Sequence, residues 1–154
     1  MKSKVSKKPV FVTFKRSQDK YMAAINVDDL KCATVYKGNK QVVDVTVSNH
    51  ELTLDTTEAQ VQRFERELSA RYHIIMVGQS ISTRKNNVAY NAVLKLDTAD
   101  KVTYIWPRGL SMIRVADNEL AVTVHGQEDA IVVQLDETPS ATDVAEVFGL
   151  LNLV

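Results

Sequence analysis

At 154 residues, 45% hydrophobic and 25% charged, the chain is long enough to bury a core and too apolar for general disorder. Its one cysteine, Cys32, excludes an intramolecular disulfide, and no apolar run reaches membrane-spanning length. Basic and acidic side chains balance at 19 each, yet residues 1–75 hold 13 basic and 9 acidic, leaving 6 and 10 in residues 76–154.

Residues 1–8 are lysine-rich and read as a basic flexible arm, with no signal-peptide core behind them. Pro9 to Phe14 is β-branched and aromatic and predicts a strand, which Tyr21 to Ile25 returns. Asn26 to Asp29 is a polar connection. Cys32 to Tyr36 predicts a third strand, ended by the turn signal Lys37-Gly38-Asn39-Lys40. Val43, Val45 and Val47 alternate with Asp44 and Thr46, so the fourth strand has one wet face. Leu52 to Leu54 predicts a fifth. Thr57 and Gln60 have capping-box spacing, and Val61, Phe64 and Leu68 then make one apolar helix face. His73 to Val77 is too apolar for a loop and reads as an extra strand. Gly78 to Asn87 reads as a polar linker.

The plan then starts again. Strands are predicted over 90–96, 102–106, 111–115, 120–124 and 130–135, with a break at Pro107-Arg108-Gly109. Thr138-Pro139 opens a last helix whose apolar face is Val144, Val147 and Leu151. Phe14, Ile25 and Leu30 recur as Leu94, Ile105 and Leu110, each 80 positions on. A fixed offset of this kind argues for two related units. The expected fold is α+β, with units at 9–77 and 88–154 and the linker at 78–87. Each unit is a small bent antiparallel sheet, or a partly open barrel of about five strands, closed by its C-terminal helix.

Chemistry is sparse along this chain. His50, His73 and His125 lack metal-ligand spacing, and His50 and His125 sit at similar turns of the two units. Cys32 lies in an apolar strand and is expected to be buried and inert. The five glycines form no phosphate loop. No catalytic residue, cofactor or metal is therefore expected, and the chain reads as a non-enzymatic protein acting by macromolecular interaction, an inhibitor or adaptor. Another protein is the leading partner. Trp106, Arg108 and Met112 are the candidate contact residues, because tryptophan and arginine beside a strand break suit an interface anchor. Trp106 would serve equally well as a core residue. The alternative partner is nucleic acid, attracted by Lys4, Lys7, Lys8, Lys15, Arg16 and Lys20. The charge difference between the halves fits mutual attraction of the units, an acidic partner for the first, or simple divergence of a duplicated unit. No membrane partner is expected, and the location implied is cytoplasmic.

Ile25-Asn26-Val27-Asp28-Asp29-Leu30, followed by a strand, a hairpin and Leu52-Thr53-Leu54-Asp55-Thr56 before a helix, resembles the small FlbD-like flagellar regulators. Ile105 to Leu110 and Val133-Gln134-Leu135-Asp136 before Thr138-Pro139 repeat the resemblance. It implies a strand–hairpin–helix unit present twice. The first strands, the duplication and the basic arm depart from that pattern, so no family function is carried over. In its compact tandem build the chain is also similar to bacteriophage accessory proteins, which bind a host protein or nucleic acid.

Overall fold

The computed structural model describes residues 11–16, 22–38, 42–47, 50–87, 89 and 91–151. The first run of elements is β1 (Phe11–Arg16), β2 (Met22–Asn26), a 3₁₀ turn (Val27–Asp29), β3 (Leu30–Tyr36), β4 (Val42–Val47), β5 (His50–Asp55) and α1 (Glu58–Arg71). β6 (His73–Val77) and β7 (Ile81–Arg84) follow. The second run repeats the first: β8 (Ala92–Asp97), β9 (Lys101–Ile105), a 3₁₀ turn (Pro107–Gly109), β10 (Leu110–Ala116), β11 (Glu119–Val124), β12 (Ile131–Gln134) and α2 (Ala141–Leu150).

The correspondence reaches fine detail. Both 3₁₀ turns close with the N–H of the next leucine on the first residue of the turn, Leu30 on Val27 and Leu110 on Pro107. The following strands carry the same irregularity, between Leu30 and Cys32 against β4 and between Leu110 and Met112 against β11. A β-bulge is an inherited local device, and its recurrence at an offset of 80 marks the two runs as one plan used twice.

The units do not form separate sheets of five. Nine strands join in one sheet, in the order β2-β1-β5-β4-β3-β9-β8-β6-β7, and β10-β11-β12 form a second. Neither sheet closes into a barrel. The seam between units is antiparallel, from Cys32 opposite Ile105 to Tyr36 opposite Lys101. Residues 78–87, expected as a linker, contain β7, which pairs with β6. β6 in turn lies parallel to β8 of the second unit. The apolar run His73–Val77 thus takes the edge of β8 that its counterpart β1 offers to β5.

Side-chain alternation along the central strands makes two cores. On one face, Val93, Tyr104 and Ile74 meet Phe64, Leu68 and Tyr72 of the α1 segment. On the other, Leu94, Leu96, Ile105, Ile75 and Val77 meet Leu120, Val122 and Val133 of the small sheet and Val147 and Leu151 of the α2 segment. Three layers result, and β8 is buried on both faces. Phe64 and Tyr104 pack edge-to-face at 5.7 Å, and each such burial is worth about 1.5–3 kcal/mol.

The helix starts follow local chemistry. Thr57 caps α1 in a full capping box with Gln60, as its spacing predicts. At α2 the cap is Ser140, which accepts from the Asp143 N–H at 3.1 Å, two residues beyond the expected Thr138. Ser140 presents the same acceptor geometry next to the apolar run, so Pro139 falls outside the helix. Among the described residues no helix is long and apolar enough to cross a membrane.

Candidate interaction edge

β3 and β10 are equivalent strands with different neighbours. At the seam, the Trp106 N–H donates to the Lys31 carbonyl at 3.0 Å, and the Lys37 N–H donates to the Asp100 carbonyl at 2.9 Å. In an antiparallel ladder, alternate residues turn their backbone groups to the same side. Lys31, Ala33 and Val35 therefore address β9. Shifted by 80, the matching residues are Ser111, Ile113 and Val115. Their backbone groups face outward, because β10 stands at the end of its sheet with β11 as its paired neighbour.

The side chains agree with this. Cys32 is buried in the second core, with Ile105 of β9 and Leu120 and Val122 of the small sheet, whereas its counterpart Met112 is 53% exposed. Met112 and Val132 are the exposed large hydrophobics among the described residues, and both lie on the small sheet. Met112 stands opposite Thr123 of β11, and Ala121 stands between Arg114 and Val132. Arg114 reaches Glu119 at 4.0 Å, and the Gln134 amide donates to Glu119 at 3.2 Å. Ile113 and Val115 turn inward and pack partly on the second core. The edge therefore combines open backbone groups, apolar surface and one guanidinium.

Of the two roles open to Trp106, the structure gives it the core, at 1% exposure. Its ring meets Tyr72 edge-on at 6.2 Å, and its Nε1 is buried. Trp106 offers a partner almost no surface, because Tyr72, at the C-terminal end of α1, packs on its ring. Arg108 is exposed, and its Nε donates to the Leu30 carbonyl at 2.8 Å, tying the second 3₁₀ turn to β3. Met112 alone of the three lies on the open edge. Adjacency in sequence had grouped them, and the change of chain direction at Pro107–Gly109 separates them. Of the basic residues, Lys4, Lys7, Lys8 and Lys20 lie outside the described residues. Lys15 and Arg16 are on β1, their backbones paired with Asp55 and Leu54.

A polar cleft of about 370 Å³ opens beside the 3₁₀ turns, lined by Asp28, Tyr72, Asn91, Trp106, Pro107 and Arg108. Asp28 is held by Arg71 and by the Tyr72 hydroxyl. Burial, with the Asp28 hydrogen bond second, pushes the Tyr72 phenol up to about 12. Burial likewise pushes the Cys32 thiol up to about 11, which fits an inert core cysteine. Tyr104 rises for the same first reason, reinforced by its hydrogen bond to Glu65. His50 is exposed at the start of β5, His125 is exposed at a turn, and His73 accepts the Asn86 N–H at Nδ1 at 3.0 Å. Among the described residues no group of three or more metal-ligating side chains gathers. Charge pairs across the seam run both ways, Lys37 with Asp97 at 2.5 Å and Lys95 with Glu65 at 3.7 Å.

Ile113 and Val115 are not among the candidate residues that the sequence suggests. The signal for them lay in the repeat itself, since each β10 position has a partnered counterpart in β3. No family model matches the chain, and neither a curated protein nor a solved structure matches it.

Proposed function

We propose that this chain is a non-enzymatic protein-binding module, an adaptor or inhibitor that takes an extended protein segment along the β10 edge. One observation carries the reading: β10 repeats the strand design that β3 uses to pair with β9, and among the described residues no strand pairs with its outer side. A sheet edge binds an added strand through main-chain hydrogen bonds, while side chains on alternate positions select the sequence. Met112 and Arg114 supply an apolar and a cationic contact on one face of such a strand. Ile113 and Val115 supply partly covered apolar surface on the other.

The test is a photo-reactive amino acid at position 112 of the full chain, expressed in its source cells and irradiated. Protein adducts are expected there, and none with the same group at exposed Glu137. Absence of protein adducts, or adducts with nucleic acid instead, would overturn the reading.

A further inference from the structure

We infer that the β10 edge is a self-association surface, and that its occupant is β10 of a second copy, paired antiparallel about a two-fold axis at Ile113. The inference rests on the binding role proposed for this edge and names the partner.

Three observations support it. First, the edge can pair. Bulges and edge charges are common ways to block strand addition. The bulge at Leu110/Met112 is no block here, because β3 carries the same bulge and still pairs with β9 from Cys32 to Tyr36. Second, the obvious alternative fails. Repeating the internal seam head-to-tail would place β2 of one copy on β10 of the next. In the internal seam, Gly109 lies so close to the β3 backbone that a Cβ there would fall 2.2 Å from the Lys31 carbonyl oxygen. The position equivalent to Gly109 in the first unit is Asp29, which has a Cβ. Arg108, which ties the seam through the Leu30 carbonyl, corresponds to Asp28, which has no donor to offer. The β2 side therefore lacks what the β9 side uses.

Third, β10 is complementary to itself. With the axis at Ile113, the outward-facing residues meet one another. Ile113 exchanges main-chain hydrogen bonds with the partner's Ile113, and Ser111 with the partner's Val115. Met112 then stands opposite the partner's Arg114 in the closer, non-hydrogen-bonded type of pair. No two like charges are directly opposed. The small sheets become one, in the order β12-β11-β10-β10-β11-β12. Two-fold pairing of identical edges also closes the assembly at two copies, leaving no further β10 edge.

Sedimentation of the full chain over a concentration series tests this. A reversible monomer–dimer equilibrium is expected. Met112→Lys opposes two like charges across the axis and should weaken the dimer about tenfold. Met112→Glu places a carboxylate by the partner's Arg114 and should tighten it. Val132→Lys, on the same face but two strands from the edge, should leave the constant unchanged. Both sites are exposed, so the fold should persist in each variant, checked by circular dichroism. Three outcomes overturn the inference: a monomer up to about 1 mM, assemblies that grow beyond two copies, or a dimer indifferent to both Met112 changes. A monomer that still yields protein adducts at position 112 keeps the binding edge and removes the second copy as its occupant.

Discussion

Gly109 sets how closely the two units approach. It ends the second 3₁₀ turn, and the start of β3 presses on it. An added methyl group would meet backbone atoms of Lys31, which cannot step aside as a flexible side-chain tip could. Gly109→Ala should therefore cost about 3 kcal/mol by urea unfolding, at the upper end of ordinary overpacking. A loss below about 0.5 kcal/mol, the size of a neutral surface change, would mean the contact is not tight. Trp106 reports the same junction, being the chain's single tryptophan and fully buried. Its residue type was plain in the sequence, but its burial was not, because an indole beside Pro107 suits a rim as well as a core. The packing of Tyr72 against it decides the matter.

Elements follow local rules more faithfully than single residues do. Apart from β7, which lies in the expected linker, the described strands and both helices fall close to their expected places, since alternation and caps are written in neighbouring residues. Removing the α1 cap by Thr57→Ala should cost about 1 kcal/mol. Equilibrium denaturation is the check, and Gln60→Ala should cause part of the same loss, since the two side chains act reciprocally. The α2 cap was misplaced at Thr138 because Thr-Pro and Ser-x-x-Asp both signal a helix start within three residues. Pairing partners were less legible. β6 shows its apolar, β-branched composition plainly, yet nothing in His73–Val77 says that it lies parallel to β8.

At the scale of the whole molecule, neither unit owns its core. The first core takes Val93, Tyr104 and Trp106 from the second unit, and the second takes Cys32, Ile75 and Val77 from the first part of the chain. Separate polypeptides 1–87 and 88–154 should therefore fail to unfold cooperatively when alone. Mixed, they should regain a cooperative transition with blue-shifted Trp106 emission. Independent two-state unfolding of either piece would restore the picture of two self-sufficient domains.

The sequence by itself determined the repeat, the order of elements apart from β7, the main apolar residues of α1 and α2 and the buried Cys32. These depend on periodicity and on contacts between near neighbours, which the order of residues records directly. Tertiary structure alone decided that the units share one nine-stranded sheet, that Trp106 is covered, and that β10 is left open. β3 and β10 have the same local design, so no local signal could say which would find a partner. Strand pairing satisfies backbone groups, and backbone groups are alike in every residue but proline. Which edge meets which is settled by the packing of the whole chain, in which Gly109 lets the second 3₁₀ turn come close to the backbone of Lys31.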